Sequence, residues 1–280
     1  MYIQKTFNEV NKYKSAKEYR KDLKELSSVN LRRNSKFNVM AVYGVLKLLK
    51  EQDYSKDLNI YIASEYGCIE DVNDVLEQIN HESSIVMPFS FLNINTNNTG
   101  YYISQELETI GNNINITAED VSFEKALELA YFDFKYNNIK EIIIGAIDES
   151  LQNIPNHNSI IHNLEEKETH DGNSWFYLNN KKENSMAEVK YFKQFENIEE
   201  LNKKLKTIDY DIVGLNQFTK QNINNLDINK EKIYDDSKDM FYGTSSASSI
   251  INLLNQKKKE SIYISLDSKQ RAYLILFIIK

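Results

Sequence analysis

The chain has 280 residues, of which 41% are hydrophobic and 27% charged, and a formal net charge of −7. That length and balance fit a soluble globular protein with a real core, and the negative charge spread along the chain leaves no footprint for nucleic acid. The single cysteine, Cys68, excludes an internal disulfide and fits a reducing compartment.

The first twenty residues, MYIQKTFNEVNKYKSAKEYR, contain no apolar core of a secretory signal, so a cytoplasmic protein is expected. Residues 1–36 are polar and basic, with weak helical periodicity. Apolar side chains at Val39, Val42, Tyr43, Leu46 and Leu49 then recur at helical spacing across 37–50. NIYIAS (59–64) reads as a buried strand. The turn Glu65-Tyr66-Gly67 leads into a second helix with Ile69, Val72, Val75, Leu76 and Ile79 as its inward stripe.

The Asn- and aromatic-rich segment 85–100 reads as a loop, whose Phe89, together with Phe91, Tyr101 and Tyr102, is suited to an interface. A helix over 101–108 and a strand over 112–117 follow. Phe123, Ala126, Leu127, Ala130, Tyr131 and Phe134 mark a core-facing helix, and KEIIIGAIDES (140–150) a strand buried on both faces. Residues 151–172 read as a polar surface excursion holding His157, His162 and His170. A hairpin over 174–180 and 186–192, a helix over 197–206, a strand over 209–216 and a helix over Ser246–Asn255 come next. A terminal hairpin over 261–266 and 272–280 closes the chain. Its apolar run Ala272–Ile279 is too short to cross a bilayer. Alternating helices and continuous apolar strands predict a layered α/β fold.

The order of these pieces resembles the β-ketoacyl synthase (thiolase-fold) superfamily. ITAED followed by VSFEKALELAYFDFKYN and EIIIGAIDES is similar to the family's nucleophile strand, turn and helix and its following VLVGGxDE-type strand. DGNSWFYLNN and MAEVKYF resemble its later hairpin. Val213-Gly214-Leu215-Asn216 and Gly243-Thr244-Ser245-Ser246-Ala247-Ser248-Ser249 stand where its two histidine motifs would fall. LRRNSKF (31–37), IASEYGCIEDVNDVLEQI (62–79) and the Pro-Phe-Ser loop at 88–90 look like the short, chain-length-factor-like members. The resemblance implies a thiolase-like α/β/α/β/α fold in one unit, with two pseudo-repeated halves of about 1–193 and 194–280.

Position by position, the resemblance puts the family's cysteine at Asp120 and its two histidines at Asn216 and Thr244. His81, His157, His162 and His170 occupy none of these places. Ketosynthase chemistry needs a thiolate to accept an acyl group, and imidazoles to assist decarboxylation and the developing enolate. A carboxylate at a helix start is a stabilised anion and a poor nucleophile. No catalytic residue is therefore expected at these positions. The leading reading of Asp120 is structural: Thr117 as N-cap and Asp120 at the third helical position form a capping box. An electrostatic or interface role and a catalytic role are its rivals. Cys68, after Gly67, reads as a small buried hydrophobe rather than a working thiol. The His162–His170 segment lacks metal-ligand spacing and reads as solvated, and neither metal nor cofactor is expected.

The resemblance implies a non-catalytic ketosynthase-like subunit of the chain-length-factor type. Its expected partner is a catalytic ketosynthase in bacterial fatty-acid, aryl polyene or polyketide biosynthesis, with an acyl carrier protein as a possible second partner and residues 110–118 at the dimer contact. The alternatives are a thiolase-fold acyltransferase or decarboxylase using Asp120 or Cys68, and a homodimeric binding protein.

Overall fold

The computed structural model describes residues 1–80, 85–150, 169–236 and 243–280. Strands β1 (Tyr2–Asn11), β2 (Asn59–Ala63), β3 (Asn113–Ile116), β4 (Glu141–Asp148), β5 (Asp171–Asn179), β6 (Ala187–Phe195), β7 (Ile212–Leu215), β8 (Glu260–Leu266) and β9 (Ala272–Ile279) run in the order β3-β2-β4-β5-β1-β6-β9-β8-β7. The ladder narrows sharply between β1 and β6, where only Tyr2↔Glu188 and Ile3↔Ala187 are paired. On each side of this seam the same pattern recurs: β2-β4-β5-β1 on one, β7-β8-β9-β6 on the other, with β3 added at the first edge.

Helices α1 (Ala16–Leu23), α2 (Lys36–Leu49), α3 (Ile69–Asn80), α4 (Pro88–Asn93), α5 (Asn97–Leu107), α6 (Ser122–Tyr136), α7 (Ile198–Leu205), α8 (Gln217–Gln221) and α9 (Ser245–Leu254) fill the layers. Alternate residues of each central strand point to opposite faces, so a strand covered on both sides must be apolar throughout. Ile60 and Ile62 of β2, and Trp175 and Tyr177 of β5, pack with α1, α2 and α5 in one outer core. Their neighbours Tyr61, Ala63, Phe176 and Leu178 pack with α6 and α9 in the middle core. Tyr263, Tyr273, Ile275 and Phe277 close that middle core from β8 and β9. Ile262, Ile264 and Leu274 turn the other way, onto α7 in a third core. The result is the expected α/β/α/β/α layering.

Several local expectations are corrected. Residues 2–11 form a long strand rather than weak helix. β1 needs no apolar run because its polar side chains find partners: Gln4 on Asn179, Asn8 on Ser174 and Ser248, and Glu9 on Tyr43. The segment 85–100 holds α4 and the start of α5 instead of a loop. Only Val75 of the α3 stripe is buried; Leu76 and Ile79 are each about half exposed, at 50% and 52%. His170 is buried and Asp171 opens β5, so the excursion ends earlier than expected. His81, His157 and His162 lie outside the described residues.

Candidate functional site

The parallel strands β2, β3 and β4 end together, as do β7 and β8, and the turns after them meet at one end of the molecule. Sites in open α/β sheets form at such strand ends. The turn after β3 carries Asp120. Its geometry differs from a capping box. Glu119 takes the left-handed conformation (φ 54°), and the helix starts later, with Val121 at the N-cap and no side-chain cap. Ser122 closes the turn instead: its hydroxyl accepts from Ala118 N–H (2.8 Å) and donates to the Glu119 carbonyl (2.6 Å). Thr117 is exposed, and Asp120 is buried near the Tyr66 phenol.

Thr244, at the start of α9, is fully buried. Its backbone N–H and its hydroxyl both donate to Asp148 Oδ2 at 2.8 Å. Ser64 Oγ and Glu65 N–H donate to the other oxygen, Oδ1, at 2.8 Å. Asp148 thus ties the ends of β2 and β4 to α9. Burial and then the neighbouring Glu65 carboxylate push its carboxyl up to about 6. Tyr66 donates to Glu65, and burial pushes that phenol upward.

Asn216 is committed to structure. Its Oδ1 accepts from Thr219 N–H (2.9 Å) as the N-cap of α8, and its Nδ2 donates to the Leu266 carbonyl (2.9 Å). Glu124 and Ser265, which are hydrogen-bonded, join α6 to the end of β8. The β8–β9 turn reaches the turn that carries Asp120, Ser268 Oγ donating to Glu119 Oε2 at 3.5 Å. The positions assigned by resemblance therefore lie at one end, on three different elements.

Cys68 lies apart from them, at the foot of α3. It is completely buried, accepts from Ser35 Oγ at 3.7 Å, and burial followed by the Glu149 charge pushes its thiol upward. A thiol held protonated is a weak nucleophile. Glu149, beside it, is pushed well upward by burial and then by Glu70. Among the described residues no group of three or more His, Cys, Asp or Glu is arranged to hold a metal. None of the described helices is long and apolar enough to cross a membrane.

Three features escaped the reading of the sequence. Asp148 and Glu149 sit at the end of an apolar run, a place where buried acids can gather; that position was their only signal. A second feature is a basic groove of about 1020 Å³ between α1 and the loop Ser27–Arg32. Its floor includes Leu23 and Val29, and Lys17, Lys21 and Lys24 follow one helix face at i, i+4 and i+7 along its rim. Residues 12–36 hold nine Lys or Arg against three Asp or Glu, within a chain of net charge −7. The third is a sheet edge that no other described strand covers. Ile60 and Ser64 N–H donate to Asn112 and Ile116 carbonyls, so even-numbered residues of β3 face β2 and Asn113 and Asn115 turn their peptide groups outward. Nearby, Phe91, Leu92, Tyr101 and Ile110 are more than half exposed, at 64%, 55%, 59% and 79%. At the opposite end of the sheet, β7 is covered: Tyr234 N–H donates to the Val213 carbonyl.

No protein-family model and no curated protein matches the sequence. Solved structures do match the fold. The ishigamide ketosynthase/chain length factor superposes with a TM-score of 0.75 at 10% identity over 99% of each chain. A β-ketoacyl synthase from Burkholderia phymatum STM815 gives 0.76 at 9% identity, covering 100% of this chain and 99% of that one. The ketosynthase ApeO in complex with its chain length factor ApeC, from Xenorhabdus doucetiae, gives 0.58 at 10% identity over 98% and 99%. The chain therefore has the thiolase-like α/β fold found in ketosynthases and chain length factors.

Proposed function

We propose that the chain is a non-catalytic ketosynthase-like subunit that pairs with an active ketosynthase and shapes its acyl tunnel. The carrying observation is what stands at the three positions assigned by resemblance. Asn216 is an N-cap, Thr244 anchors α9 on Asp148, and Asp120 is a buried acid, with no thiol or imidazole among them. Such chemistry requires both groups. The subunit keeps a pairing surface instead, in the outward peptide groups of β3 and the exposed side chains beside them. An edge strand of this kind accepts a strand from another chain. The lysine-rimmed groove on α1 suits an acidic partner surface such as that of a carrier protein.

Co-expression with an intact ketosynthase, followed by size exclusion with light scattering and an elongation assay, tests the reading. A one-to-one complex whose elongation needs only the partner's cysteine is expected. A chain that remains alone, or that hydrolyses thioesters by itself and loses this on Asp120→Ala, overturns it.

A further inference from the structure

Among the described residues, no side chain between Cys68 and Tyr102 takes part in any of the three apolar cores, whereas every helix other than α3 and α4 contributes at least one. Val75 is buried yet lies outside all three, and α4 buries no residue. Polar ties hold the pair to the body instead. The buried Lys36 Nζ of α2 meets Glu70 Oε1 at 2.8 Å, and Glu70 N–H donates to Glu149 Oε2 at 3.1 Å. At the far end, Asn93 Nδ2 donates to the Arg33 carbonyl (2.8 Å) and Asn98 Nδ2 to the Leu92 carbonyl (2.7 Å). The two helices are also joined to each other, Asn93 sitting beside the Asp71 carboxyl. The chain leaves and re-enters the body at one neck: Gly67 takes a left-handed conformation (φ 66°), and a Cβ there would fall 2.1 Å from the Thr96 methyl. Segments with few buried apolar contacts open at the low end of a protein's local stabilities.

We infer that α3 and α4 form a strap that detaches from the body and re-docks as one unit, pivoting at the Gly67–Thr96 neck, with Glu70 as its latch. Glu70 is tied twice, through its carboxylate and through its peptide group. Lys36 remains paired with Asp171 Oδ1 at 2.8 Å when Glu70 lets go, so the start of α2 keeps an ion pair and the body stays folded. Leu76, Ile79, Phe91 and Leu92 are already at least half exposed in the docked state. Opening therefore uncovers little further apolar surface, and the apolar cost of the motion is small. Nothing in this motion requires the partner reading.

Hydrogen exchange of the full chain, read by mass spectrometry, is the test. Amides of α3 and of Phe91–Asn93 should exchange faster than those of α2 and α5. Glu70→Ala should speed both groups about tenfold while leaving α2, α5 and the melting temperature unchanged. The effect on α4 is the decisive readout: the ties that Glu70 makes run to Lys36 and Glu149, and only a shared motion carries their loss to α4. Should Glu70→Ala fail to fold, Asn98→Ala, which frees the Leu92 carbonyl of α4, should speed α3 in turn. Exchange in α3 as slow as in α5, acceleration confined to the first turn of α3, or acceleration spread over the whole chain overturns the strap.

Discussion

At the carboxyl end of β4, Asp148 accepts four hydrogen bonds from two segments of chain, Ser64-Glu65 and Thr244. Asp148→Ala leaves those donors buried and dry. Unsatisfied buried donors cost about 1–3 kcal/mol each, part of which local relaxation recovers, so a loss of roughly 3 kcal/mol is expected. Urea denaturation measures it; a loss below about 1 kcal/mol would show that α9 is anchored elsewhere. Cys68 makes a second residue-scale test, since no other thiol competes with it. Wholly enclosed beside Ser35, it should resist a disulfide reagent in the folded chain and react fully in denaturant. The sequence carried the buried character of Cys68, whose type and neighbours predict it. It did not carry the turn at Asp120. Thr-Ala-Glu-Asp satisfies a capping-box pattern, yet the left-handed Glu119 delays the helix and hands the closing hydrogen bonds to Ser122. A pattern of residue types cannot show where the chain reverses.

The open edge of β3 sets the element-scale prediction for pairing. Asn115→Pro removes an outward N–H without touching the hydrogen bonds to β2, at the loss of the Asn115–Asn97 side-chain contact. The variant should fold and yet bind a ketosynthase partner at least ~10-fold more weakly, read by titration calorimetry. Unchanged affinity would move the contact off this strand. A second element-scale test concerns Trp175, which wedges between α2 and β4. A Cβ on Gly145 would sit 2.5 Å from its ring, and one on Gly44 2.4 Å from its Nε1. Gly145→Ala should cost about 1–3 kcal/mol, followed by the fluorescence of the only tryptophan. Elements buried on both faces, such as β2, β4 and α2, were legible because two apolar faces leave an unbroken apolar run. β1 was not, because its side chains meet hydrogen-bonding partners instead of an apolar layer. The α3 stripe was legible as a helix but misread as inward. Periodicity reports that a face is apolar, not what covers it, and here Leu76 and Ile79 face outward.

Across the whole molecule, Glu124, Asp148 and Glu149 are buried acids, each pushed above its ordinary value first by burial. A group that holds its proton more tightly when folded adds stability below its unfolded value, near 4, and loses it as pH rises through the folded one. For Asp148, raised from 3.8 to about 6, that loss is on the order of 3 kcal/mol between about pH 4 and 6. The melting temperature should therefore be higher near pH 5.5 than at pH 8 at constant ionic strength; the reverse order would mean that these acids are ionised and well served in the fold. Three apolar cores with strand faces shared between them made a layered α/β fold readable from the alternation of helices with unbroken apolar strands.

The placement of β1 has a consequence for how the chain is made. β1 finds its ladder partners only at 171–179 and 187–188. At translation rates of about 5–20 residues per second, residues 2–11 wait on the order of ten seconds or more before either ladder partner is made. A polar, hydrogen-bonding sequence stays solvated through that interval where a hydrophobic strand would aggregate. The composition that hid β1 from recognition is the one that lets this strand be inserted late, between β5 and β6.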